Sequence, residues 1–277
     1  MKLHFERWGT QGSAIEKKEK IIFLHGMGGT GKIWRPIAAV LEEPFQILAP
    51  DQRGHGKSIA AMDSYSPLDF GRDVEETLAA EGFFPSWVVG HSMGIRTACA
   101  LAHLRPEFVK GLVLADLGLV GGAGGGLHRN LSTFLRILPD QFPNRDEARQ
   151  FMNQNSPDPS IGQYLLAVSV RDANGEIRFP FDRSALLKTL EQARAVDLRP
   201  WIKEFGQRGL PVLLLRGGLS RVWTREEFEQ DRSYFADLPS IRFQEIPGTG
   251  HGLPFEKRQE FIDAILTEIR YPRPPRG

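Results

Sequence analysis

The chain has 277 residues, enough for one large α/β domain or two small ones. Its net charge of +1 gives no electrostatic pull toward nucleic acid or an acidic membrane surface. No stretch approaches the length of a membrane span. The start, Met1 to Arg7, lacks the apolar segment of a secretion signal, and a single cysteine, Cys99, leaves no internal disulfide framework. These features predict a cytoplasmic protein with no nucleic-acid partner and no membrane span.

Short apolar runs alternate with helical patterns. Residues 20–24, Lys-Ile-Ile-Phe-Leu, read as a buried strand, residues 33–41 as a helix, and residues 45–49 as the next strand. Ser66-Pro67-Leu68-Asp69 opens a helix that runs to about Glu81: Ser at the N-cap, Pro at the first helical position, and an acid near the positive end. A strand over 86–90 leads through Gly90-His91-Ser92-Met93-Gly94 into a helix over 92–104. That helix is apolar nearly all round and is expected to be central. Cys99 lies within it among Ala and Leu, as a small buried filler rather than a nucleophile. Residues 112–115 form another strand.

The rhythm then breaks. Gly121 to Gly126 reads as a glycine hinge. Beyond it, Leu127, Leu131, Phe134, Leu135 and Leu138 share a helical face. Helices and Pro-punctuated loops continue to about Gly209. A strand returns at 212–215, a capping box Thr224-x-x-Glu227 opens a helix, residues 241–246 form the last strand, and Phe255 to Ile269 mark the last helix. Residues 270–277 read as a disordered Pro/Arg tail. Strand–helix alternation implies a mostly parallel sheet covered on both faces. The interruption implies a helical cap, residues 119–209, inserted into a core made of 1–118 and 210–277.

Chemistry concentrates at the strand ends, where open α/β sheets bind ligands. Strand–GxSxG–helix places a serine on a strained turn above a helix N-terminus, with Gly90 and Gly94 as the small residues the turn demands. Three further segments lie at strand ends: His25-Gly26-Met27-Gly28-Gly29, Asp51-Gln52-Arg53-Gly54-His55-Gly56-Lys57-Ser58, and Gly248-Thr249-Gly250-His251-Gly252. In this order and spacing the four motifs resemble those of the α/β-hydrolase superfamily, over nearly the whole chain. The resemblance implies an eight-stranded, mostly parallel sheet with the cap after the sixth strand, and the early edge of that sheet would fall at residues 3–7. It implies Ser92 as nucleophile, His251 as the base that takes its proton, and the backbone N–H groups of Met27 and Met93 as the oxyanion hole. His251 is then expected to work as a neutral imidazole near pH 7. No cofactor enters such chemistry.

The supporting acid departs from the commoner pattern. The loop after strand 212–215, Arg216 to Trp223, holds no Asp or Glu. Asp116, just past the preceding strand, is the candidate, as in small bacterial esterases with an RGxxS segment at the seventh strand. Glu226, Glu227 and Asp231 are the alternatives, with reach to His251 as the criterion. Ser220 is placed to assist by bonding the His251 imidazole.

Other features carry two readings. Gly26 to Lys32 matches a P-loop, but Ile33 stands where a Ser or Thr must hold Mg²⁺. His25, His55 and His91 fit no metal spacing and read as loop-shaping residues, His25 with a place in substrate binding as the alternative. Asp51 and Arg53 read as ties within their loop. Arg96, one helical turn after Ser92, faces a substrate carboxylate or pairs with Asp51 or Asp116. The superfamily's menaquinone-biosynthesis lyases are similar in having Arg there, although Ile95 replaces the second Gly of their elbow. Trp34 and Trp201, with Phe134, Phe142, Phe151, Tyr164 and Phe181, are candidate pocket-lining aromatics. The resemblance implies a carboxylesterase-like serine hydrolase acting on a small-molecule ester, thioester or lactone, and perhydrolases share the same triad. A carbon–carbon hydrolase or lyase acting on a carboxylate substrate, and a non-catalytic ligand-binding member of the fold, are the alternatives.

Overall fold

A computed structural model describes residues 1–10, 18–60, 62–121, 125–193 and 195–270. The expected Pro/Arg tail beyond Arg270, and Gly122 to Gly124 of the glycine run, lie outside the described residues.

The apolar runs become the strands of one sheet: β1 (Phe5–Trp8), β2 (Glu19–Leu24), β3 (Phe45–Pro50), β4 (Ser86–His91), β5 (Val109–Ala115) and, after the long insert, β9 (Val212–Gly217) and β10 (Ile241–Ile246). Their spatial order is β1-β3-β2-β4-β5-β9-β10. β1 runs antiparallel to β3, and every other pairing is parallel. The sheet therefore has seven strands among the described residues, against the eight that the resemblance implies. The central strands are apolar on both faces because both faces are covered. Ile22, Leu24, Val88, Leu112 and Leu214 point into one core. Their alternating neighbours Ile21, Phe23, Val89, Val113 and Leu213 point into the other.

α1 (Arg35–Leu41) and α11 (Arg258–Arg270) cover one face. α2 (Pro67–Glu81), α3 (Met93–Leu104), α8 (Arg199–Gln207) and α9 (Arg225–Tyr234) cover the other. α2 begins where its signals place it. Ser66 caps it with Pro67 at the first turn, and Asp69 completes a capping box. The capping box at Thr224 opens α9 in the same way. The last helical stretch is split into α10 (Leu253–Glu256) and α11. No described helix is long and apolar enough to cross a membrane.

The insert between β5 and β9 carries α4 (Gly125–Ile137), α5 (Arg145–Asn155), α6 (Pro159–Val168), α7 (Arg183–Ala193) and α8. It has its own apolar cluster of Phe134, Leu135, Phe142, Met152, Leu165 and Leu186. Contrary to the all-helical expectation, it also holds a small antiparallel sheet of β6 (Gln141–Phe142), β8 (Ile177–Arg178) and β7 (Val170–Arg171), in that order. Strands of two residues leave no alternation to read in a sequence. The insert is tied to the loop after β3 by backbone bonds, Gly56 N–H to Pro180 O (2.7 Å) and Asp182 N–H to Gly54 O (2.9 Å). The Tyr65 N–H adds a bond to Gln192 Oε1 (2.8 Å).

Candidate active site

The four motifs meet at the C-terminal edge of the parallel strands. Ser92 sits at the apex between β4 and α3 with φ 52° and ψ −121°, a conformation L-residues rarely adopt. The turn holds because its flanks are glycine. A Cβ on Gly90 would come within 2.6 Å of the Gly94 carbonyl, and one on Gly94 would strike the Leu24 carbonyl. The Ser92 N–H bonds the Ala115 carbonyl of β5 (2.9 Å), which anchors the apex to the neighbouring strand.

Asp116 follows β5 directly and is the other non-glycine described residue with positive φ, at 64°. It is fully buried. Its Oδ2 lies 2.9 Å from His251 Nδ1 and accepts the Ser220 hydroxyl at 2.6 Å, while Oδ1 accepts the Gly217 N–H at 2.9 Å. His251 Nε2 is 3.0 Å from Ser92 Oγ. The pattern fits a tautomer with the proton on Nδ1, donating to the carboxylate, and a bare Nε2 facing the serine hydroxyl. A carboxylate, an imidazole and a hydroxyl thus form one hydrogen-bonded row.

The end of β9 is packed tightly against the His251 loop. A Cβ on Gly217 would collide with the Gly250 carbonyl, so a glycine there lets the His251 loop lie against the strand end. The alternative acids stand elsewhere. Asp231 accepts from Trp223 Nε1 at 3.0 Å, and burial raises its carboxyl to about 6. Glu227 accepts from the N–H and hydroxyl of Thr224, and Glu226 faces Gln230. Ser220 meets Asp116 rather than the His251 ring. It supports the acid, and its oxygen also accepts from the Val222 N–H at 3.2 Å.

Buried histidines brace the surrounding loops. His91 holds the His251 carbonyl at 2.8 Å from its Nε2. His25 Nε2 accepts the Gln52 N–H, and His55 Nε2 accepts the Gly28 N–H, both at 3.0 Å. Loss of hydration on burial keeps all three neutral, with His25 lowered to about 4 and His55 and His91 to about 3. The Gly28 N–H is thereby occupied. The neighbouring Met27 and the first residue of α3, Met93, line the cavity over Ser92. Gln52 joins the brace, donating from its amide to the His25 carbonyl (2.7 Å) and accepting from Thr97 of α3 (2.6 Å). The reading of the three histidines as loop-shaping residues bonded to backbone holds, whereas nothing in the spacing signalled the part of Gln52 and Thr97.

Several expected residues lie elsewhere. Trp34 is fully buried between Phe23 and Phe261, in the core beneath the sheet. Trp201 stacks on His103 at 5.0 Å on the outer side of α3. Phe134, Phe142 and Phe151 pack within the insert, and Tyr164 alone of those aromatics borders the serine. His25 is consumed by its loop. Arg53 pairs with Asp73 through Nε at 2.6 Å, not with Asp51. Asp51 accepts the Gly31 and Lys57 N–H groups, which engages the P-loop-like segment in a turn. Cys99 is buried, and its thiol is pushed up to about 12 by burial. No group of three or more His, Cys, Asp or Glu that could hold a metal occurs among the described residues.

Ser92 and His251 stand at the junction of two cavities beneath the insert, of about 110 and about 50 Å³, which share Met27, Leu131 and Ile161. The larger reaches Arg96, and the smaller reaches Tyr164 and Leu165.

Comparison with known proteins identifies the family. Residues 21–264 match the model of the alpha/beta hydrolase family, and the chain belongs to that family. It is 28% identical over 262 residues to an sn-1-specific diacylglycerol lipase of Mus musculus, covering 89% of this chain and 80% of the relative. It is 24% identical over 244 residues to the 2-(acetamidomethylene)succinate hydrolase of Mesorhizobium japonicum, covering 83% and 81%. Among solved structures, a marine microorganism esterase superposes with a TM-score of 0.78 at 25% identity, over 96% of this chain and 98% of that one.

Proposed function

We propose that this protein is a serine hydrolase that cleaves carboxylic esters through an acyl-enzyme. The observation that carries the reading is the row Ser92 Oγ, His251 Nε2, His251 Nδ1 and Asp116 Oδ2, with spacings of 3.0 and 2.9 Å, set at the strand ends beside a cavity. His251 takes the Ser92 proton as Oγ attacks the ester carbonyl. Asp116 stabilises the imidazolium that forms. The carbonyl oxygen, now an anion, is met by the backbone N–H groups of Met27 and Met93, the second at the positive end of α3. His251 then protonates the departing alcohol, and a water molecule repeats the sequence on the acyl-enzyme.

In this reading residues 119–209 are the insert whose α4, α6 and α7 cap the site while its α8 packs on the core sheet, and 1–118 with 210–277 are the catalytic core. The names of the relatives, a lipase, a succinate-derivative hydrolase and an esterase, support carboxylic acid derivatives as the substrate class. The test is a fluorophosphonate probe with peptide mapping, alongside turnover of 4-nitrophenyl esters. Labelling at Ser92, and loss of both labelling and turnover in Ser92→Ala, are expected. An unlabelled, folded wild-type protein that turns over no ester would overturn the reading and favour a binding module.

A further inference from the structure

Arg96 projects from α3 one helical turn beyond Ser92, about 6 Å along the axis, and lines the larger cavity together with Ser92 and His251. Its structural environment leaves its charge uncompensated. Among the described residues its guanidinium makes one long hydrogen bond, 3.4 Å from Nη1 to the Ala193 carbonyl at the end of α7, and meets no carboxylate within ion-pair distance. The two acids that sequence spacing offers it are committed elsewhere, Asp116 to His251, Ser220 and Gly217 and Asp51 to backbone N–H groups. Glu227 lines the same cavity, but its Oε2 is held by Thr224 at the positive end of α9. Burial lowers the Arg96 guanidinium to about 10. The more deeply buried arginines are paired, Arg53 with Asp73 and Arg216 with Glu245. A partly buried cation without a counter-ion is free to take one from a ligand in the cavity, and its planar fork of donors matches a carboxylate.

We infer that Arg96 is the subsite for a carboxylate carried by the substrate, so that the preferred ester has an anionic group one helical turn from the scissile carbonyl. This deepens the serine hydrolase reading and rests on it for the bond that is cleaved.

The experiment uses two matched ester pairs, with uncatalysed rates subtracted. One pair is 4-nitrophenyl hemisuccinate against the 4-nitrophenyl ester of monomethyl succinate, with the carboxylate on the acyl side. The other is acetoxyacetate against its methyl ester, with the carboxylate on the alcohol side. Wild-type protein is expected to favour the charged member of at least one pair by about tenfold or more in kcat/KM, chiefly through KM. In Arg96→Gln that preference falls to near unity or inverts, and in Arg96→Lys part of it returns. Equal losses on charged and neutral esters in Arg96→Gln would mean that Arg96 only pins α7, and the inference fails. Absence of any charge preference in wild-type protein overturns it without needing a variant. If wild-type protein cleaves none of the four esters and Ser92 takes no fluorophosphonate, the hydrolase reading has failed separately. The subsite is then read by calorimetric titration of succinate into wild-type and Arg96→Gln protein. Binding that the variant loses sustains it, and no binding overturns it.

Discussion

Asp116→Asn tests the electrostatic half of the proposed mechanism. The substitution keeps the shape and removes the charge. Both carboxylate oxygens act as acceptors, Oδ1 for the Gly217 N–H and Oδ2 for the Ser220 hydroxyl and His251 Nδ1. An asparagine can present one acceptor and one NH₂ group. If its oxygen keeps Gly217, the NH₂ faces His251 Nδ1 and drives the imidazole to the other tautomer, whose Nε2–H cannot receive the Ser92 proton. If its oxygen keeps His251, the NH₂ abuts the Gly217 N–H in a fully buried site, which costs about 1–3 kcal/mol. The lost attraction adds to this. Unit charges about 4 Å apart interact by about 4 kcal/mol at an effective dielectric near 20, or roughly a thousandfold in rate. Tautomer mismatch carries the expected fall in kcat to about 10³–10⁴. The assay is 4-nitrophenyl ester turnover on protein whose melting shows that it is folded, with the fluorophosphonate labelling rate as a second readout. A folded Asp116→Asn protein that keeps more than about a tenth of wild-type kcat would refute the role of Asp116 and return the choice to Glu226, Glu227 or Asp231.

Two further outcomes follow from the histidine brace. His55→Ala leaves the Gly28 N–H without its acceptor and loosens the turn that carries Met27. A fall in kcat of about tenfold or more with KM little changed is expected, since a buried unsatisfied N–H costs about 1–3 kcal/mol. A lowered melting temperature with kcat intact would show that His55 serves stability alone. The second outcome concerns acid. His25, His55 and His91 have folded values depressed to about 4, 3 and 3, so the unfolded chain binds their protons first. The stability is complete above about pH 6.5 and is lost as pH falls toward the folded values. At pH 5 each group has cost about 2 kcal/mol, comparable in sum to the whole stability of a small domain. Denaturant melts at pH 7 and pH 5 check this, and a difference under about 1 kcal/mol would contradict it.

Much of this site is legible in the chain because its determinants are local. The elbow needs two glycines around a serine, and the reason, backbone carbonyls where a Cβ would go, is the same at every such turn. Buried parallel strands announce themselves as apolar runs, and the caps at Ser66 and Thr224 are read from four residues each. What stays hidden depends on residues far apart. Nothing near Trp34 tells which side of the sheet it faces, and it packs beneath the sheet on Phe23 and Phe261. Arg53 finds Asp73 on a different element instead of its loop neighbour Asp51. Ser220 bonds the acid instead of the imidazole because Asp116 Oδ2 faces both groups.

The two strained residues bear on how the site stays fixed. Ser92 and Asp116 are the non-glycine described residues at positive φ, and they end adjacent strands. Each is held by its own amide to the next strand over, Ser92 N–H to Ala115 O at 2.9 Å and Asp116 N–H to Leu215 O at 2.8 Å. The sheet ladder therefore continues one residue past β4 and one past β5, and the unfavourable torsions, of order 1–3 kcal/mol each, are offset by pairing that a loop would lack. A glycine at either position would relax the torsion but remove the hydroxyl or the carboxylate. Relaxing the pairing would let hydroxyl and carboxylate drift from the two sides of His251. Strain at these two positions fixes the directions of both side chains relative to the sheet, which is what the proposed proton transfer across 3.0 Å would require of its donor and of the group that steadies its acceptor.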